Sequence, residues 1–400
     1  MEMKYRGLLF DDARHFHGRE ELKRTLDVMS RLGYNVLHWH ISDDQGFRLT
    51  LPGYERLSGH SSSRSYTNVG GYLKNRPVGP AHSGLYSAED VSEIVGYARS
   101  LGIKVMPELD MPGHFSAIIS AYPELSCDGK QIEVPGRFGV LDNTLCLGKD
   151  SAREFAKELA LAVAKHMDAD MIHIGFDEIK AKKMCSCPDC IARAEKLGLK
   201  SPKELIPLFR TEVAEYLKSN GIRVFAWNDA SSVNSPDLSV TMFHWRPETD
   251  RETADYINRG QHMIMCDFYH YYADYPYAMT PLKKTYNYNP VIPGVRETDN
   301  IEGVECTLWS EYFSDNGKMR FNGYYRMAAV AEQWRDGGKR PYSEFISDLK
   351  EREVELFGEK FDIPESILNP NFFARVFRFL KCMFSDTEFE YRLWQSRKER

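Results

Sequence analysis

Short continuous apolar runs alternate with amphipathic stretches along most of the 400-residue chain. The runs are RGLLFD (6–11), NVLHWHIS (35–42), IKVMPELD (103–110), MIHIGFDE (171–178), IRVFAWND (222–229), SVTMFHW (239–245), HMIMCDFY (262–269) and GVECTLW (303–309). They are bounded by turn residues and mostly unbroken by polar alternation, the pattern of parallel strands covered on both faces. Between them, residues 19–33, 87–102, 151–167 and 202–221 repeat apolar positions at helical spacing. Three of these stretches close on a glycine just ahead of the next strand, where a helix C-cap wants a left-handed residue. Eight strand runs interleaved with helices predict an α/β fold, a TIM (β/α)8 barrel, over residues 1–340. Residues 341–400 are helical in pattern and are expected to form a C-terminal extension packed on the barrel's outside.

Three connections, 43–86, 111–150 and the tyrosine-rich 270–302, are too long for simple turns. Each follows a strand, so each belongs to the rim that carries the chemistry in barrel enzymes. Composition narrows the partners. With 42% hydrophobic and 28% charged residues the chain reads as globular, and a net charge of −6 without any Lys/Arg cluster argues against nucleic acid or an anionic membrane. No run approaches the roughly 20 apolar residues of a membrane span, so no membrane partner is expected. The start MEMKYRGLLF has no signal-peptide pattern, which gives a cytoplasmic expectation. Nothing in the pattern sets an oligomeric state.

Collecting the strand ends in order gives Arg14, Asp43 with Asp44, Asp110 with His114, Asp177 with Glu178, Trp227 with Asp229, Trp245, Tyr269, and Trp309 with Glu311. Carboxylates, aromatic rings and one arginine on a single rim suit a sugar pocket: indoles stack on the C–H face of a pyranose, and charged groups bind its hydroxyls. Taken singly, each has a bland reading. Tryptophans at strand ends are often core lids, Asp43 and Asp44 before Gln45 and Gly46 could be turn formers, and Asp110 before Pro112 and Gly113 invites the same view. Asp110 is therefore left outside the catalytic set. Asp177 and Glu178 in DMIHIGFDEIKAKK are different. Neighbours in a strand point to opposite faces, so the two acids share a pocket only if the strand has ended there. Two carboxyls in one partly dry site repel, one keeps its proton, and the longer Glu178 is the better general acid.

RGLLFDDARHF, VLHWHISDDQGFRL, PELDMPGH, HIGFDE, FAWNDA and TLWSEY, in this order from residue 6 to about residue 335, resemble the motifs of family-20 glycoside hydrolases, the β-N-acetylhexosaminidases. The resemblance implies release of terminal GlcNAc or GalNAc from glycans by a retaining mechanism in which the substrate's own acetamide is the nucleophile. It implies that Glu178 is the acid and base, that Asp177 steadies the acetamido N–H, and that Tyr269 bonds the acetamido carbonyl. By the same implication Trp227, Trp245 and Trp309 wall the pocket, Arg14 and Glu311 bind hydroxyls, and Asp43 with His114 supports Glu178. No cofactor is needed for that catalysis. Three departures stand out: Phe176 where the family reads glycine, Tyr271 where an aspartate or asparagine often follows the tyrosine by two, and a barrel strand starting within ten residues of the first, without the α/β domain that commonly precedes it.

CSCPDC, with Cys185, Cys187 and Cys190, has the spacing of a zinc knuckle or redox pair but shows only three ligands, and a surface loop of reduced thiols is the favoured reading. Two rival functions fit parts of the pattern. His38 and His40 lie on one face of a strand, as in metal-dependent barrel hydrolases. A non-catalytic glycan-binding protein is the third reading, disfavoured because binding alone needs no proton donor.

Overall fold

Eight parallel strands close on themselves: β1 (Tyr5–Asp11), β2 (Val36–Asp43), β3 (Lys104–Met111), β4 (Met171–Gly175), β5 (Arg223–Trp227), β6 (Thr241–His244), β7 (Met263–Met265) and β8 (Ile301–Leu308). Each pairs with its successor, and β1 pairs with β2 and β8 alike, Leu8 opposite both Leu37 and Cys306. This is the expected TIM barrel, seen in a computed structural model that describes residues 3–231, 238–335 and 338–398.

The connecting helices are α1 (Arg19–Leu32), α2 (Ala88–Ser100), α3 (Asp150–His166), α4 (Leu205–Ser219), α5 (Asp250–Asn258), α6 (Leu282–Asn287) and α7 (Asn316–Ala331). Their boundaries follow from the chain's punctuation. Gly33 caps α1 at φ 79°, a left-handed conformation that glycine adopts without a Cβ clash. Ser87 and Asp90 form a reciprocal capping box at the start of α2. Leu22, Leu26 and Met29 form one sealed face of α1, where truncating a leucine to alanine costs about 2–5 kcal/mol. Between β5 and β6 the described residues hold only a 3-10 turn, Asn228–Ser231.

The barrel interior departs from the usual aliphatic filling. Tyr5, Leu9, Met106, Phe225, Phe243 and Ile264 line it, and His38, His40, His173, Glu108 and Glu305 are fully buried. β7 is shorter than the apolar run 262–269 implied. The ladder breaks after Met265 and is taken up again when Tyr272 bridges Thr307 and the Ala273 N–H bonds the Thr307 carbonyl at 2.9 Å. Beyond residue 341, helices α8 (Phe372–Phe384) and α9 (Phe389–Lys398) end the described chain. The α9 ring of Trp394 packs on Phe321 of α7 at 5.0 Å. The end of α8 reaches the C-terminal rim of the barrel, its Cys382 and Met383 carbonyls accepting from the N–H groups of Tyr72 and Leu73 in the 43–86 excursion. Among the described residues, no helix is long and apolar enough to cross a membrane.

Candidate active site

The acid pair sits on a tight turn. β4 stops at Gly175, and Gly175, Phe176 and Glu178 all have positive φ, at 73°, 72° and 48°. That turn lets neighbouring residues 177 and 178 face the same cavity. Gly175 is required by its surroundings, since a Cβ there would lie 1.7 Å from Asp110 Oδ1. Phe176 occupies a left-handed position that disfavours any side chain. Its ring is fully buried and packs against Phe209 of α4, centroids 5.9 Å apart, so the expected bulky contact behind the acids is present.

His114 stands between the two acids, its Nε2 at 3.8 Å from Asp177 Oδ2 and 3.6 Å from Glu178 Oε2. Its Nδ1 lies 3.2 Å from Asp43 Oδ1. The other Asp43 oxygen takes Arg14 Nη2 at 2.6 Å and His40 Nε2 at 2.9 Å. Arg14 also approaches Glu311 at 3.6 Å and lies over the Trp309 ring, 4.7 Å from its centroid. Asp44, adjacent in sequence, also approaches His114, its Oδ2 3.5 Å from Nδ1. It accepts from the Ser116 N–H at 3.0 Å and so fixes the loop that carries His114.

Behind this layer runs a chain of alternating imidazoles and carboxylates. His40 Nδ1 bonds Glu108, which also meets His38 Nε2 at 3.2 Å and His173 Nδ1 at 2.9 Å and accepts from the Trp227 indole N–H at 2.9 Å. His38 Nδ1 continues to Glu305 at 3.1 Å, and the Tyr5 hydroxyl donates to Glu305 at 2.6 Å. His38 and His40 do share a face, as their spacing implied. That face is the barrel interior, where both His40 nitrogens meet carboxylates.

Protonation follows from burial and these contacts. Burial opposes charge on His38 and His40, but Glu305 and Glu108 outweigh it and raise them to about 9 and about 10. Burial also opposes charge on His114, yet Asp43 and Asp177 lift it well above the ordinary imidazole range. Burial pushes Asp177 up to about 7, reinforced by Glu178 and Asp229 against the pull of His114. Burial likewise acts to raise Glu178, but the hydrogen bond and charge of His114, with Arg14 and Arg246, leave it below the usual carboxylate range. In the free protein the retained proton therefore belongs to Asp177, the reverse of the order expected from side-chain reach. Asp110, buried behind the pair, is raised well above the carboxylate range by burial and by Asp177.

The aromatic wall differs from expectation at one residue. Trp227 is sealed and forms the floor, its ring centroid 5.8 Å from that of Trp309. Half-buried Trp245 and Trp309 flank Tyr272, at 6.3 and 6.2 Å between centroids. Tyr269 is not in this cage. It is 51% exposed, its ring against Phe268 and 5.0 Å from Lys284 Nζ. The resumed pairing with β8 turns Tyr272 inward, whereas Tyr269 lies on the bulge before it. Tyr271 is fully buried, its ring edge-on to Tyr288. Asp274 lies two residues beyond Tyr272, the tyrosine of the cage. Asp274 is raised well above the carboxylate range by burial and by neighbouring Glu311.

Sequence reasoning also left out Arg246, just past β6. It pairs with Asp229 at 2.6 Å and covers the Trp245 ring at 4.4 Å, while Asp229 accepts the Glu178 backbone N–H at 3.0 Å. Glu108, Glu305 and His173 were missed as well. Their only signal was polar residues inside otherwise apolar strand runs. The expected Cys185/Cys187/Cys190 grouping is redrawn: Cys187 and Cys190 cluster with Cys127 and Cys146, and Cys185 is outside the group.

A closed parallel barrel thus carries adjacent acids on its C-terminal rim, beneath a cage of indole and phenol rings. The sequence profile of glycosyl hydrolase family 20, catalytic domain, matches residues 3–337, and the chain belongs to that family. It is 30% identical over 378 residues to a beta-hexosaminidase of Porphyromonas gingivalis, an alignment covering 90% of this chain and 47% of that protein. The chain thus spans about half the length of that relative. A crystal structure of a beta-N-acetylhexosaminidase superposes with a TM-score of 0.82 at 27% identity, covering 91% of this chain and 79% of the other. The exo beta-N-acetylglucosaminidase of Vibrio harveyi, solved with N-acetylglucosamine, gives 0.77 at 25% identity, covering 89% and 58%.

Proposed function

We propose that this chain is an exo-acting β-N-acetylhexosaminidase that removes terminal, non-reducing β-linked GlcNAc or GalNAc from glycans with retention, using the substrate's acetamide as nucleophile. The observation that carries the reading is the acid pair turned into one cavity past β4, bracketed by His114 and faced by Trp245, Trp309 and Tyr272. The names of the relatives support it. Asp177 Oδ1 is buried without a hydrogen-bond partner, and an acetamido N–H supplies the donor such an atom lacks. That bond favours the ionised form of Asp177 and sends its proton to Glu178. The bound sugar strips water from Glu178, whose side chain is otherwise 32% exposed, and so holds the proton there.

The acetamido oxygen then attacks C1 while Glu178 protonates the departing glycosidic oxygen. Asp177 steadies the positive charge spreading onto the acetamido nitrogen of the oxazolinium, and the Tyr272 hydroxyl holds the acyl oxygen in its attacking pose. Water attacks C1 from the face the leaving group vacated and gives its proton to Glu178. The ring reopens to the acetamide and the β-configuration is restored. Arg14, Glu311 and Asp274 bind ring hydroxyls, and Asp43 holds His114 charged beside Glu178. The test is a pair of chromogenic substrates: 4-nitrophenyl β-N-acetylglucosaminide is cleaved and the matching β-glucoside, which has no acetamide, is not. Comparable rates on the two would refute the assisted mechanism.

A further inference from the structure

Four cysteine sulfurs, from Cys127, Cys146, Cys187 and Cys190, lie within 4.8 Å of one another, three of the residues fully buried. Cys146 is 3.8 Å from Cys187 and 3.7 Å from Cys190, and Cys127 is 4.0 Å from Cys190. A disulfide needs about 2.05 Å between sulfurs. Four thiolates about 2.3 Å from one tetrahedral ion stand about 3.8 Å apart, the edge of that tetrahedron. The observed separations match the second geometry. We propose that this cluster is a structural zinc site that staples the excursion after β3 to the excursion after β4.

The surrounding backbone is built for it. Cys127 and Cys146 flank an antiparallel bridge between Ser126 and Leu145. Cys187 caps the helix Pro188–Lys196, which brings Cys190 round by one turn. At Gly148 a Cβ would lie 2.2 Å from the Asp189 carbonyl carbon, so the two excursions touch backbone to backbone beside the sulfurs. All four ligands come from the chain and leave no open position, which marks a structural rather than a catalytic site.

The staple reaches the acids through short covalent distances. Leu145, next to Cys146, donates its N–H to the Pro112 carbonyl at 2.9 Å, two residues before His114. Cys187 lies on the same excursion as Asp177 and Glu178, and Lys183 between them bonds Asn143 at 3.1 Å. The ion thus fixes where the His114 loop meets the acid turn.

The test is elemental analysis of the full chain purified without added metal or chelator. One zinc per chain is expected, retained by Cys185→Ser and lost by Cys146→Ser and Cys190→Ser. Cobalt(II) substitution of the wild type should give the intense visible bands of tetrahedral tetrathiolate cobalt, and stripping with a strong chelator should lower Tm reversibly. Wild-type protein with no zinc that also gains none on dialysis against micromolar zinc would overturn the site, whatever the variants do. Disulfides among the four cysteines, stoichiometric iron in place of zinc, or equal zinc loss in Cys185→Ser would overturn it as well.

Discussion

Tyr272 and Tyr269 are three positions apart, and of the two only Tyr272 packs between Trp245 and Trp309. If the proposed mechanism holds, Tyr272→Phe removes the donor to the oxazoline oxygen and is expected to cut kcat by about 10²-fold, the scale of losing one oxyanion donor. Tyr269→Phe should be close to wild type. The reverse pattern in steady-state kinetics would return Tyr269 to the site. Glu178→Gln is expected to cost about 10²-fold or more on a disaccharide, and less on nitrophenyl substrates, which leave without help from a proton. The acid pair also sets a pH limit. One proton must be present on the pair, and in the free protein it is held by Asp177 at about 7. As pH rises through that value the pair becomes doubly ionised, so kcat/KM for diacetylchitobiose should fall about tenfold per pH unit above it. A plateau continuing to pH 9 would contradict this proton count.

At the scale of elements, the turn after β4 and the broken strand β7 decide what could be read in advance. The eight strands were legible because each is a nearly continuous apolar run, and the acid pair because it sits where one run ends. Apolar continuity also hid the interior. A strand covered on both faces does not announce which residues point inward, so Glu108, Glu305 and His173 passed as incidental polar residues. That His38 and His40 share a face was legible from their two-residue spacing, and that this face is the interior, with carboxylate partners on β3 and β8, was not. The tyrosine went astray because HMIMCDFY reads as one strand, whereas pairing with β8 stops at Met265 and resumes only around Tyr272. Phe176 supplies a test of the turn. Phe176→Gly relieves a left-handed strain of about 1–3 kcal/mol but empties a buried aromatic site that costs about 3–5 kcal/mol. The variant should unfold at lower urea by about 2 kcal/mol of stability. A raised midpoint would mean that the strain outweighs the packing.

Across the whole molecule, a line of ionisable groups runs from Tyr5 and Glu305 on the barrel floor through His38, Glu108, His40 and Asp43 to His114 and the acids. It ties the stability of the fold to the charge of its centre. His38 and His40, raised to about 9 and about 10, bind protons more tightly folded than unfolded, where imidazole titrates near 6.5. Their contribution is complete below pH 6.5 and is lost as pH rises through 9 to 10. Thermal melts should therefore show Tm falling between about pH 7 and pH 10, with His38→Phe flattening the slope. An unchanged Tm across that range would mean that the buried imidazoles are neutral. The four-cysteine cluster was half legible, because CxxC gave Cys187 and Cys190 but their partners lie about 40 and 60 residues upstream in another excursion.

The central claim is that the sugar's acyl oxygen is the nucleophile and the protein supplies none. It is tested most directly with 4-nitrophenyl glucosaminides carrying acetyl, fluoroacetyl, difluoroacetyl and trifluoroacetyl groups on nitrogen. Each fluorine draws electrons from that oxygen, so log(kcat/KM) should fall steeply and steadily along the series. A flat series would place the attacking group on the protein.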